Sequence, residues 1–134
     1  MTTVSNLSTV QSIYEAFGKG DIPTILANLS DNAVWNHYGN PNIIPFGGIY
    51  NGKDEILQFF QKLGQSMQFA SFHPHNFREE DNRVINDITM EATAIPTGKS
   101  ATTTVQFTWT FNEDGKVIHW KNEGGLDVIE GMFS

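Results

Sequence analysis

The stretch Ser100-Ala101-Thr102-Thr103-Thr104-Val105-Gln106-Phe107-Thr108-Trp109-Thr110-Phe111-Asn112-Glu113-Asp114-Gly115-Lys116-Val117-Ile118-His119-Trp120-Lys121-Asn122-Glu123 decides the fold. From Val105 to Trp109 each large apolar residue is followed by Gln or Thr, and Phe111 continues the alternation. That is the period of two of a strand buried on one face. Asn112-Glu113-Asp114-Gly115 has turn chemistry, and a second strand follows it, so the stretch reads as an antiparallel hairpin with one aromatic face.

Working outward, the same period gives four strands in a meander, at about residues 69–80, 83–95, 100–112 and 116–124. Glu80-Asp81-Asn82 and Pro96-Thr97-Gly98-Lys99 are the other turns. Upstream of residue 68 the apolar period is helical. Leu7, Val10, Tyr14 and Phe17 mark a first helix, ended by Gly18 and Gly20. Asp21 caps a second, with Pro23 in its first turn and Ile22, Ile25, Leu26 and Leu29 on its buried face. Residues 33–38 read as a short strand and 39–52 as a Gly-, Pro- and Asn-rich loop, with an extended piece at Ile49-Tyr50. A third helix follows over about 53–67, with Ile56, Phe60, Leu63 and Met67 on one face. Three helices before a run of hairpins indicate an α+β fold, with helices on one face of a curved, mainly antiparallel sheet.

Pairing Phe111 with Lys116 and Ile95 with Ser100 sets a register and hence two faces. The inner face then holds Val84, Asn86, Ile88, Met90, Ala92, Val105, Phe107, Trp109, Phe111, Ile118, Trp120 and Asn122. The outer face is Thr-rich and flat, which suits solvent or a homodimer through Thr104, Gln106, Thr108 and Thr110. Asn86 and Asn122 stand among large apolar groups. Either they bond backbone or water, or they orient a ligand in an apolar cavity.

Composition narrows the chemistry. The 134 residues suit one domain spanning 1–134, and they include no Cys, so disulfides, thiolate metal sites and Cys nucleophiles are excluded. Eight Lys and Arg against fifteen Asp and Glu give a net charge of −7, which disfavours nucleic acid. No apolar run is long enough to span a membrane. The start Met1-Thr2-Thr3-Val4 has no basic region leading into an apolar stretch, so the expected location is cytoplasmic. The aromatic fraction is 12% against 17% charged, more than a plain small core requires, so a core, a pocket or an interface is aromatic.

Histidine is the natural proton carrier near neutral pH. His119 falls on the outer face. His73-Pro74-His75 lies on an edge strand, because Pro74 lacks a donor, and both imidazoles share a face with Phe77 if the strand is regular. The pair lacks a third ligand, so no metal is expected. His37 shares a face with Trp35, so it packs inward if Trp35 does. It is then either a neutral core histidine or a pocket acid/base.

The run Val10-Gln11-Ser12-Ile13-Tyr14-Glu15-Ala16-Phe17-Gly18-Lys19-Gly20-Asp21 resembles the first helix and turn of the nuclear transport factor 2-like superfamily. So do Asp31-Asn32-Ala33-Val34-Trp35, Pro45-Phe46-Gly47-Gly48-Ile49-Tyr50-Asn51-Gly52-Lys53-Asp54 and Thr108-Trp109-Thr110-Phe111-Asn112-Glu113-Asp114-Gly115-Lys116-Val117. The likeness covers almost the whole chain and is greatest to the SnoaL-like branch, named for a polyketide cyclase. It implies a cone-shaped barrel of the cystatin-like type with a cavity, and it places His37 in that cavity. The resemblance sets His37 at the general-base position of ketosteroid isomerase and the apolar Ile13 and Phe107 at its two donor positions, so steroid isomerisation is not expected. Asp127 corresponds to an acidic position near the end of the last strand in many relatives.

Two functions follow as expectations. One is a cofactor-free isomerase, cyclase or dehydratase acting on a carbonyl-containing small molecule, with His37 as base and Asp127 as a second catalytic candidate. Tyr14, Trp35, Phe46, Asn86, Phe107, Trp109, Trp120 and Asn122 would bind the substrate. The alternative is a non-catalytic module, which binds a small apolar molecule or dimerises.

Overall fold

A computed structural model describes residues 5–134; the start of the chain, read above for export signals, lies outside them. Two helices come first, α1 (Asn6–Gly18) and α2 (Ile22–Ala27). Ser5 caps α1 by accepting from Ser8 N–H, and Asp21 caps α2 by accepting from Thr24 N–H. Strand β1 (Leu29–His37), strand β2 (Gly48–Asn51) and helix α3 (Gly52–Ser66) follow. The meander is β3 (Met67–Glu80), β4 (Arg83–Ala94), β5 (Ser100–Phe111) and β6 (Val117–Glu123), and the chain closes with α4 (Leu126–Phe133). The sheet order is β2-β1-β6-β5-β4-β3. All pairs are antiparallel except β1 with β6.

Three local expectations change. Leu29 begins β1 instead of ending α2, because Asn28 closes the helix. Met67 begins β3 rather than ending α3. Residues 126–133 form a helix that alternation alone does not reveal, and it carries Asp127 out of the sheet.

Both hairpin registers also move by two residues. Ile88 faces Val105 and Asn86 faces Phe107, since the ladder ends at Thr93–Ser100. The cause is Ile95, whose N–H bonds Ser66 O at 2.8 Å instead of continuing the hairpin. In the last hairpin Phe107 faces Asn122 and Trp109 faces Trp120. The Asn112 side chain accepts from Asp114 and Lys116 N–H, and a bulge follows. At that bulge Val117, not Ile118, takes the fully buried place. A shift of two keeps every other side chain on its expected face.

In β3 a second bulge changes the faces themselves. Asn76 adopts φ 57°, and the register jumps between His75 and Arg78. Phe77 packs against the core, whereas His73 is exposed and His75 bonds Thr89 on the outer face. His73 and His75 share a face as expected, their rings stacked at 5.7 Å, but Phe77 does not share it. His75 Nε2, Thr89 Oγ1 and Thr104 Oγ1 form a chain across three strands at 2.8 and 3.0 Å. Thr104 is exposed, Gln106 and Thr110 are half-buried, and Thr108 is buried between Ile85 and Lys121 in register.

No helix among the described residues is long and apolar enough to cross a membrane.

Candidate functional site

The helices close the concave face of the sheet around a cavity of about 60 Å³. That volume holds roughly two to four waters. Its floor is Trp35 and His37 from β1, Trp120 and Asn122 from β6, Phe107 and Trp109 from β5 and Met90 from β4. Tyr14 and Phe17 of α1 and Phe59, Phe60 and Leu63 of α3 roof it, while Phe46 and Ile129 close one side. Among the described residues no Asp, Glu, Lys or Arg lines it.

The placement follows from the sequence pattern. Ala33, Trp35 and His37 are buried positions of β1, two residues apart, and Leu29 is buried at its start. The parallel pairing sets Trp35 opposite Trp120 and His37 opposite Asn122. The two indoles stack at 4.4 Å between centroids with planes 19° apart. Phe46 meets the His37 ring edge-on at 5.2 Å.

The two inner-face amides have different surroundings. Asn86 Oδ1 accepts from Tyr14 O–H at 2.9 Å and from Trp109 Nε1–H at 3.1 Å, and its Nδ2 donates to Asp87 O at 3.1 Å. It is fully buried behind Tyr14 and does not line the cavity, so the ligand-orienting expectation for Asn86 is dropped. Asn122 does line it, and its Oδ1 has no hydrogen-bond partner among the described residues. Trp35 Nε1 and Trp120 Nε1 are likewise buried without partners.

His37 is 3% exposed. Its Nδ1 accepts from Gly39 N–H at 3.1 Å, which sets the neutral tautomer with the proton on Nε2. Burial lowers its pKa to about 4, against a smaller raising contribution from its own backbone. Burial also pushes the Tyr14 phenol well above its ordinary value, so at neutral pH Tyr14 is an uncharged donor to Asn86. Asp127 is exposed in the first turn of α4, away from the lining, so that catalytic candidate is also withdrawn.

The lining residues that sequence reasoning missed are chiefly Phe59, Phe72 and Ile129. Phe59 neighbours the Phe60 stripe. Ile129 arrives on the overlooked helix, whose Leu126, Ile129 and Met132 spacing was the available signal. Outside the cavity, Tyr14, Phe17, Phe69 and Phe72 also wall an open groove of about 410 Å³ between α1 and β3, so these four rings partition groove from cavity. No cluster of three His, Asp or Glu side chains suited to a metal occurs among the described residues.

Residues 10–120 match the SnoaL-like domain family. The chain belongs to that family. This SnoaL-like protein is also similar to several solved structures. One is a nuclear transport factor 2-like protein of unknown function from Burkholderia pseudomallei. It is 26% identical, covers 98% of this chain and 99% of its own, and superposes with a TM-score of 0.88. TerC, crystallised with polyporic acid, is 24% identical over 96% of this chain and 97% of its own, with a TM-score of 0.81. A Pseudomonas putida protein provisionally described as a polyketide cyclase is 17% identical over 98% of this chain and all of its own, with a TM-score of 0.76. No curated protein matches the sequence. The α+β fold of three N-terminal helices over a curved sheet is thus that of the nuclear transport factor 2-like proteins.

Proposed function

We propose that this SnoaL-like protein binds a small, largely apolar molecule in the cavity beneath α1 and α3, and holds it without acid–base turnover. One observation carries the reading. The lone imidazole of the described lining has its Nδ1 lone pair committed to Gly39 N–H and its pKa lowered to about 4 by burial. Proton-moving catalysis needs a base with a pKa near the working pH and within reach of the substrate proton. A neutral imidazole protonated on Nε2 is a hydrogen-bond donor there, and among the described residues no carboxylate lines the cavity to replace it. The isomerase or cyclase alternative with His37 as base is therefore less well supported than binding.

The size of the cavity supports a small ligand. Sites for drug-sized molecules span roughly 300–1,000 Å³. A cavity of about 60 Å³ takes such a molecule only if the Tyr14–Phe17–Phe69–Phe72 partition parts toward the groove. TerC, of the same fold, has been crystallised with an organic small molecule, which fits this use of the fold.

Titration with toluene tests the reading. Saturable binding is expected, with changes in Trp fluorescence and in the methyl NMR signals of Ile13, Met90 and Ile129. Absence of saturation up to the solubility limit of toluene would remove the reading. Loss of a carbon-bound proton from a bound enolisable ketone, seen as deuterium uptake faster than in buffer, would restore the enzyme alternative.

A further inference from the structure

We propose that ligands reach the cavity through the groove between α1 and β3, and that Phe69 and Phe72 form the moving leaf of that entrance. The proposal rests on the small-molecule reading above and adds how the site opens and closes.

The two ends of the cavity are shut in different ways. At one end Phe46 and Ile129 are each only 2% exposed. The loop that carries Phe46 is closed on itself. Gly47 N–H bonds Ile44 O at 3.0 Å, and a Cβ on Gly47 would lie 2.5 Å from Gly39 O. The Phe46 ring packs edge-on against Phe133 of α4 at 5.7 Å. Packing this close yields only by losing contacts. At the other end stand Tyr14, Phe17, Phe69 and Phe72, all four only half-buried. They line both the cavity and the open groove, so the wall there is a single layer of rings.

The two sides of that layer are held unequally. Tyr14 is pinned, because its O–H donates to Asn86 Oδ1 at 2.9 Å and its ring meets Trp109 edge-on at 5.7 Å. Val10, Ile13 and Ala16 anchor α1 around it, all of them buried. Phe69 and Phe72 sit on β3, which ends the sheet and so has a hydrogen-bonded strand on one side only. The β3–β4 register jumps between Phe69 and Ser71, so Ala70 is an extra residue. That insertion lets two rings three residues apart face the same way, in contact at 5.4 Å. It also interrupts the ladder between them. Local opening is cheapest where few backbone bonds must break, which is at a bulged edge. A swing of Phe69 and Phe72 away from the fixed Tyr14 joins the cavity to the groove.

Xenon, a single apolar atom, is the probe, because dry apolar cavities take it up. Its affinity is read from the methyl NMR signals of Ile13, Met90 and Ile129 against xenon pressure. Its exchange rate is read from xenon saturation-transfer NMR. Gly18, the last residue of α1, lines the groove and not the cavity, and a Cβ there meets nothing within 4 Å. Gly131 of α4 offers an equally open Cβ position on the helix that closes the other end. Gly18→Phe sets a ring in the groove and should slow entry and exit alike, by roughly tenfold, with the affinity unchanged. Gly131→Phe should alter neither rate. Phe72→Ala removes part of the leaf and should speed entry. Exchange at the natural rate in Gly18→Phe, or slowing by Gly131→Phe instead, would overturn the entrance. An unchanged entry rate in Phe72→Ala would overturn the leaf. Either result would leave the small-molecule reading standing. If xenon moves none of the three methyl signals, that reading fails and the entrance falls with it. The Gly18 variant decides the matter even if Phe72→Ala does not fold.

Discussion

Acidification should destabilise this protein through one buried side chain, His37. In the folded chain its pKa lies at about 4, against 6.5 for a free imidazole. Between those values the unfolded chain binds a proton that the folded chain refuses. Stability therefore falls as pH falls across that window. The contribution is fully present above about pH 6.5 and is lost as pH passes down through about 4. At 1.36 kcal/mol per pKa unit the whole passage costs about 3 kcal/mol, and stopping near pH 5 costs about 2 kcal/mol. Burial is the main cause, and the Gly39 N–H acts in the same direction because a protonated Nδ1 could no longer accept from it. The assay is urea unfolding followed by Trp fluorescence at several pH values, on the natural chain and on His37→Asn. The carboxylates titrate in both, so the difference between the two pH slopes isolates His37. Parallel NMR of the His37 Cε1–H signal should show no titration step above pH 5. Equal slopes in the two proteins, or a midpoint near 6.5, would refute the reasoning. They would also return a usable base to the cavity.

Further substitutions test the neighbouring contacts. Tyr14→Phe removes one donor and leaves Asn86 Oδ1 bonded to Trp109, so chemical denaturation should show a loss of about 1 kcal/mol. Asn86→Ala strands both the Tyr14 hydroxyl and the Trp109 indole and opens a void, and the same measurement should give about 4 kcal/mol. Gly39→Ala would set a Cβ 2.6 Å from Ile44 Cδ1 and 2.9 Å from His37 Nδ1. The ring must shift, so a stability loss of about 2 kcal/mol should come with a displaced His37 Cε1–H signal. Gly125 has φ 63°, and a Cβ there would meet Thr104 O at 2.5 Å. Gly125→Ala should cost about 3 kcal/mol and loosen α4, visible as faster amide exchange at Ile129.

Much of this architecture was legible because side-chain alternation tolerates errors of an even number. Pairing Phe107 with Trp120 instead of Asn122 is a slip of two, and it leaves both residues on the inner face. What alternation cannot find is an inserted residue. The bulge at Asn76 turned Phe77 inward and His75 outward, although Phe77 and His75 look like strand neighbours two apart. It also cannot find a hydrogen bond captured from elsewhere, as Ser66 captures Ile95 N–H. The helix Leu126–Phe133 was hidden for a different reason. Eight residues after Gly124-Gly125 give too few turns for a period to stand out against the end of a strand.

The site was legible in place but not in chemistry. Trp35 and His37 were tied together by the strand period alone, yet the protonation state of His37 depends on a backbone amide two residues on, which carries no side-chain signal. Asn86 and Asn122 looked equivalent in the sequence. They differ because α1, whose Tyr14 is 72 residues away from Asn86, delivers a hydroxyl to one and nothing to the other. The same division separates the three tryptophans, all 2% exposed. Trp109 has its indole N–H bonded and behaves as core even where its ring touches the cavity. Trp35 and Trp120 do not. Aromatic content therefore does not distinguish the two halves of the inner face, since both have it. Hydrogen-bond satisfaction does. The β4–β5 side is tied by Tyr14 and Trp109 bonding Asn86, whereas the β1–β6 side is held by the stacked indoles of Trp35 and Trp120.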